Sequence, residues 1–147
     1  MEPNFDLPGY EIIRHLGSGG FGEVWQARQT GIDRMVAIKV GYTPLTDSEA
    51  KRRFESECRA LGRVSGHPSI VTIYTVGQLE SDRPYLVLEY VEGGTLHQLA
   101  QQEPIEEFVL TKIGAQVAKA LQTAHEAGVL HRDLKPENIF LLSLIHI

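Results

Sequence analysis

The period of hydrophobic and polar positions changes several times along the chain. Residues 10–16 are a run of mixed pattern that reads as a strand, and Glu23-Val24-Trp25-Gln26-Ala27-Arg28 alternates with the strand period of two. A turn over residues 30–33 leads into Met35-Val36-Ala37-Ile38-Lys39-Val40, a third strand, and Pro44 breaks the chain. Thr46 with Glu49 three residues on predicts a capping box. Ala50, Phe54, Cys58, Leu61 and Val64 then recur at helical spacing, with Arg and Glu between them. Residues 70–76 and 85–89 are short β-rich runs, and Gly93-Gly94 is a flexible break. Residues 106–127 predict a second long helix with an apolar stripe of Leu110, Ile113, Val117, Leu121 and Ala124, stopped by Gly128. A polar loop over residues 131–138 precedes Ile139-Phe140-Leu141. Three strands, a helix, two strands and then mainly helix predict an α+β fold, with a small sheet-rich lobe joined at residues 89–94 to a helical lobe.

Composition narrows the function. The 147 residues fit one domain, and 42% hydrophobic with 22% charged residues predicts a packed core. Fourteen Lys and Arg against nineteen Asp and Glu give a net charge of −5 with no basic stripe, so nucleic acid is not an expected partner. The single cysteine, Cys58, cannot form an internal disulfide or a cysteine-based zinc site. Residues 1–10, MEPNFDLPGY, lack the basic and apolar regions of a signal peptide, and no apolar run reaches the roughly 18–20 residues of a membrane span. A cytoplasmic setting is expected, any membrane anchor lying beyond this chain.

Gly17-Ser18-Gly19-Gly20-Phe21-Gly22, followed by Glu23 and Val24, places glycines where a backbone must approach phosphate oxygens: without Cβ, the amides can come close to an anion. A dinucleotide-binding site uses the same spacing but opens a helix with it. Here an alternating run follows Gly22, so the loop joins two strands, and an ordinary glycine-rich hairpin is the bland alternative. Lys39 sits among apolar residues on the third strand. If buried, it needs an anionic partner, since a lone buried charge costs several kcal/mol. Glu57, beside the apolar stripe of the first helix, is the candidate; a solvated helix acid and an edge-strand charge are the competing readings of the two residues.

His131-Arg132-Asp133-Leu134-Lys135-Pro136-Glu137-Asn138 resembles the catalytic loop of protein kinases almost letter for letter. The residue types suit that chemistry. Asp133 is a carboxylate to orient an attacking hydroxyl and accept its proton, Lys135 a cation for charge on the transferring phosphoryl group, and Asn138 an oxygen ligand for Mg²⁺. The resemblance extends over residues 10–141. The glycine loop, Val36-Ala37-Ile38-Lys39, and the catalytic loop occur in the family's order, with His67-Pro68-Ser69-Ile70-Val71, residues 85–94 and residues 125–130 similar to its intervening segments. Lys135-Pro136-Glu137 resembles serine/threonine rather than tyrosine kinases, and the overall flavour is similar to bacterial members of the eukaryotic-type, or Hanks-type, serine/threonine kinases.

That resemblance implies a protein kinase-like two-lobe fold, with a complete β-rich N-lobe (residues 10–88), a hinge (89–94) and the first part of a helical C-lobe (95–141), after an N-terminal extension over residues 1–9. ATP with Mg²⁺, or Mn²⁺ in its place, would lie between the lobes, and proteins bearing Ser or Thr would be the substrates. Leu16, Gly17, Ser18, Gly19, Gly20, Phe21, Gly22, Glu23 and Val24 would cover ATP; Val24 and Ala37 would roof the adenine, with Phe140 beneath. Leu88 would be the gatekeeper, and the Glu89 carbonyl and Val91 amide would bond the adenine edge. Lys39 would hold the α- and β-phosphates and pair with Glu57. Asp133, Lys135 and Asn138 would be catalytic, Asn138 also ligating the metal, and Arg132 would receive an activation-loop phosphate.

The pattern then breaks off. No Asp-Phe-Gly or Ala-Pro-Glu follows Asn138, so one Mg²⁺ ligand is present where two are wanted. Residues 142–147, LSLIHI, read as a translated sequencing adapter on a shortened gene, the alternative being a further strand. The chain is therefore expected to be an inactive fragment of an active parent. A non-catalytic ATP-binding scaffold and a small-molecule kinase are the competing functions. The intact set of polar residues argues against the first, and Arg132 with Lys135-Pro136-Glu137 against the second.

Overall fold

The computed structural model describes residues 2–142. The expected non-native tail therefore lies outside the described residues except for Leu142. Nine elements appear among them: β1 (Tyr10–Ser18), β2 (Gly22–Gln29), β3 (Arg34–Gly41), α1 (Ser48–Val64), β4 (Ile73–Gln78), β5 (Pro84–Glu89), α2 (Leu96–Gln102), α3 (Glu107–Glu126) and a 3-10 turn (Pro136–Asn138). They fall into two compact units. The first holds the described residues up to Ser65 together with Val71–Tyr90; the second holds Gly66–Ile70 and the described residues from Val91 onward.

The first unit is an antiparallel five-stranded sheet in the order β1-β2-β3-β5-β4, with α1 inserted between β3 and β4. Register sorts its side chains. Trp25 lies opposite Ile38, Ala27 opposite Val36, and Ile38 opposite Val87, so these residues share a face. Leu7, Ala27, Val36, Ile38, Val40, Leu79 and Val87 form the core cluster, with Phe5, Tyr10, Ile12 and Tyr85 packed against it. Residues 2–9, read from the sequence only as an extension, thus cover this face through Phe5 and Leu7. The Phe5 ring meets Trp25 edge-on at 6.1 Å, and His15 meets it at 4.9 Å.

Helix α1 begins one residue later than its predicted box. Asp47, not Thr46, caps it, with its carboxylate accepting from the Ala50 amide at 3.0 Å. Only Val64, in its last turn, is buried; elsewhere the helix is half-buried or exposed. Strand β4 starts at Ile73 rather than residue 70, because residues 66–70 belong with the second unit.

In the second unit, α2 is a helix that the sequence reading missed. Thr95 and Gln98 form a reciprocal capping box: the Thr95 hydroxyl accepts from the Gln98 amide at 3.2 Å, and the Gln98 side chain accepts from the Thr95 amide at 2.9 Å. Gly94 precedes it at φ +76°, a left-handed conformation that a side chain resists. On α3 the half-buried face carries Val109, Ile113, Val117, Leu121 and Ala124, whereas Leu110, placed in the predicted stripe, is 44% exposed. Gly128 ends the helix at φ +77°. No helix among the described residues is long and apolar enough to cross a membrane.

Candidate functional site

The sheet face opposite the core brings together most of the residues expected around a nucleotide base. Val24 pairs with Lys39, Ala37 with Leu88, and Lys39 with Leu86, so Val24, Ala37, Lys39 and Leu88 share that face. Ala37 and Leu88 present small and branched apolar surface, and Lys39 stands exposed at the same level as Val24. An exposed ammonium needs no buried counter-ion, and among the described residues no ion pair joins Lys39 to Glu57. That corrects the expected pairing. Glu57 is exposed on α1, whose one fully buried residue, Val64, lies two turns further on. Burial and then the neighbouring charges of Glu57 and Glu55 push the Cys58 thiol up.

The glycine loop divides into an open tip and a fixed exit. Beyond the backbone, nothing lies within 4 Å of where a Cβ would stand on Gly17, Gly19 or Gly20, and Phe21 at the tip is 83% exposed. The Gly19 amide donates to the Gly22 carbonyl at 2.9 Å, closing the turn. Gly22 is different: a Cβ there would lie 3.0 Å from the Val40 carbonyl carbon and closer still to its oxygen. Leu16 and Ser18 line the entry side of the loop and are exposed. Glu23, expected with the nucleotide-covering residues, turns its side chain to the covered face. It is 8% exposed and lies 3.7 Å from Arg83. Its pairing opposite Val40 dictates this, because β2 alternates faces and Val24 takes the open one.

At the edge of the first unit, the Glu89 amide donates to the Thr72 carbonyl at 2.8 Å, and the Glu89 carboxylate accepts from the Thr72 amide at 3.1 Å. Val91 belongs to the second unit. There Phe140 bridges Thr95, Leu96 donates to the Ile139 carbonyl at 2.8 Å, and Leu141 donates to the Gly94 carbonyl at 2.9 Å. The start of α2 and the segment after the polar loop thus hold each other.

The polar loop is built around Asp133. Lys135 Nζ lies 3.2 Å from Asp133 Oδ2. Asn138 Nδ2 donates to the Asp133 carbonyl at 2.7 Å and to Oδ2 at 3.3 Å, and the Asp133 amide donates to His131 Nδ1 at 3.2 Å. The turn is tight: Arg132 sits at φ +64°, and the 3-10 turn with Pro136 at its start brings Asn138 back onto Asp133. The hydrogen bond and charge of Lys135 hold the Asp133 carboxyl below the usual carboxylate range, outweighing a smaller opposing desolvation; Asn138 and His131 add to the lowering. Asp133, Lys135 and Asn138 are all exposed, so the three polar groups present an open, anion-centred cluster.

This cluster suits a hard cation only in part. Because Asn138 spends its NH₂ group on Asp133, its amide oxygen is the part of the side chain left to accept a further partner. Among the described residues no group of three or more His, Cys, Asp or Glu could hold a metal ion. A cation here would need most of its ligands from phosphate oxygens and water, which is the habit of Mg²⁺.

Comparison with known proteins places these geometries in a family. The protein kinase domain family matches residues 10–146. The chain is 43% identical over 134 residues to the serine/threonine-protein kinase PknK of Mycobacterium tuberculosis, covering 90% of this chain and 12% of that protein. It is 41% identical over 134 residues to the serine/threonine-protein kinase pkn3 of Myxococcus xanthus, covering 90% of this chain and 24% of that protein. The chain therefore spans a quarter or less of these relatives. The crystal structure of the Mycobacterium tuberculosis PknI kinase domain superposes with a TM-score of 0.75 at 30% identity, covering 97% of this chain and 59% of that one.

Proposed function

This chain belongs to the protein kinase domain family, in its bacterial Hanks-type serine/threonine class, and from that premise we propose that the intact protein transfers the γ-phosphoryl group of ATP to Ser or Thr hydroxyls of proteins. The observation that carries the reading is the Asp133–Lys135–Asn138 cluster: an ionised, exposed carboxylate with a cation at 3.2 Å and an amide that fixes its orientation. A carboxylate held ionised can accept a hydrogen bond from a substrate hydroxyl and take its proton as the oxygen attacks phosphorus. Lys135 is placed to neutralise charge on the equatorial phosphoryl oxygens. Mg²⁺, when bound, supplies charge neutralisation at the phosphates, with the Asn138 oxygen as this chain's ligand.

The first unit supplies the nucleotide's share. Val24, Ala37 and Leu88 offer an apolar face for adenine. The Glu89 carbonyl meets its polar edge, and Lys39 together with the amides of the open loop tip takes the phosphates. Residues 10–141 constitute the kinase portion, and residues 1–9 an extension that completes its core. By itself the chain has one metal ligand of the two that the reaction wants, so no turnover is expected of it.

The test is made in the intact parent. Asp133→Asn is expected to abolish transfer to a generic basic protein while ATP affinity stays within about threefold, because a neutral isostere removes the base but not the phosphate contacts. Equal loss of binding and transfer would remove Asp133 from the assigned role. Phosphorylation by the 147-residue chain would overturn its assignment as inactive.

A further inference from the structure

Glu23 leaves the glycine loop immediately after Gly22, yet its carboxylate sits on the covered face of the sheet, 3.7 Å from Arg83 Nη1, and its Oε1 has no hydrogen bond. Arg83, in the connection before β5, is nearly as buried: the two side chains are 12% and 10% exposed. The same guanidinium continues outward, its Nη2 donating to Asn4 Oδ1 at 2.9 Å. One side chain therefore ties three distant stretches together: the segment before β1, the exit of the glycine loop and the β4–β5 connection.

A buried ion pair is a weak source of stability, because desolvating two charges offsets most of their attraction. Its best-attested use is to fix one arrangement among several. The arrangement fixed here is the loop exit. Gly22 is held by its close approach to the Val40 carbonyl, the Phe21 carbonyl accepts from the Tyr42 amide at 3.2 Å, and Glu23 is held by Arg83. At the tip itself, Gly19 and Gly20 have open space around them. Phosphate-binding amides are useful only if their orientation is fixed before the ligand arrives.

We propose that Arg83 and Asn4 are positioning residues that act through Glu23 to hold the glycine loop for the triphosphate, coupling the segment before β1 to nucleotide affinity. The inference rests on the reading that this loop covers ATP. It differs from a general effect on folding in one respect. The apolar face of Val24, Ala37 and Leu88 lies on the other side of the sheet, so adenosine affinity should not depend on Arg83.

The test measures Mg-ATP and adenosine binding by calorimetry on the full 147-residue chain, with emission of Trp25, the single tryptophan, reporting that each variant is folded. Arg83→Met is expected to weaken Mg-ATP about tenfold and adenosine less than twofold; Asn4→Ala about threefold and not at all. Arg83→Lys, which keeps the charge beside Glu23, should recover most of the loss. If Arg83→Met does not fold, Asn4→Ala decides, since it removes one exposed hydrogen bond. Equal weakening of both ligands, or no change in either, overturns the inference while leaving the kinase reading in place. Wild-type chain that binds neither ligand removes the inference together with the reading that this chain's loop covers ATP.

Discussion

Gly22 and the Val40 carbonyl are so close that no side chain fits between β2 and β3 at this point: a Cβ would meet both the carbon, at 3.0 Å, and the oxygen. The contact is backbone against backbone, so no rotamer change relieves it. Gly22→Ala is expected to destabilise the first unit by about 1–3 kcal/mol, read as a lower urea midpoint in Trp25 emission. Gly19→Ala and Gly20→Ala, with open space around them, should leave the midpoint within about 0.5 kcal/mol. A neutral Gly22→Ala would mean that the strands separate freely there.

Leu7 and Phe5 make the segment before β1 part of the core rather than a dispensable tail. Leu7 is 7% exposed and packs with Val36, Ile38 and Val87. Leu7→Ala should cost about 2–4 kcal/mol, and removal of residues 1–9 should cost more, exposing Trp25 and shifting its emission to longer wavelength. An unchanged urea midpoint in the shortened chain would show that the covering is superficial.

Lys39 is exposed and, among the described residues, has no ion-pair partner. Lys39→Met should therefore leave stability unchanged within about 0.5 kcal/mol. If the lysine takes the phosphates, the same change should weaken Mg-ATP by about 10- to 100-fold, the scale of a charge-assisted hydrogen bond. Calorimetry beside a denaturation curve separates the two effects, and a loss of stability without loss of affinity would reverse the assignment.

Lys135 lowers the Asp133 carboxyl from the ordinary carboxylate range. A carboxyl whose folded value lies below its unfolded value of about 3.9 favours the folded state above that pH, and the contribution fades as pH falls through the folded value. Asp133 is exposed, so the effect on stability is small and the titration itself is the better readout. In Lys135→Met the carboxyl ¹³C midpoint of Asp133 should move upward, and the acid limb of transfer by the intact parent should move with it. A midpoint that stays in place would assign the lowering to Asn138 and His131 instead.

Burial together with Glu57 and Glu55 keeps the Cys58 thiol protonated to higher pH than a free cysteine. Iodoacetamide should therefore modify it more slowly at pH 7.5 than it modifies a cysteine peptide, whose thiol lies near about 8.5. Glu57→Gln should speed the reaction. A rate equal to the peptide's would place Cys58 in open solvent.

Much of this molecule could be read from patterns that are local in the chain. Alternation in residues 23–28 and 35–40 gave two strands, helical spacing gave α1 and α3, and eight consecutive letters from His131 to Asn138 gave the residues of the Asp133 cluster. The Thr95-x-x-Gln98 box was equally legible and would have located α2, but the seven-residue helix has too few turns for its apolar period to stand out. The shift from Leu110 to Val109 on α3 is the kind of one-residue error that a broad apolar stripe allows, since both lie within a helix face.

Relations between segments were not legible. Glu23 follows the glycine motif in sequence, but which face its side chain takes depends on the β2–β3 register, and that places it opposite Val40. The missing Lys39–Glu57 pair depends on where α1 is anchored, which no spacing within the helix records. By itself the sequence determined most of the strands, the two long helices and the family, because those rest on neighbouring residues and on motifs whose letters are consecutive. Tertiary structure alone decided that residues 2–9 complete the core, that Arg83 reaches both Glu23 and Asn4, and that Lys39 has no ion-pair partner among the described residues, because each requires chain segments tens of residues apart to settle against one another.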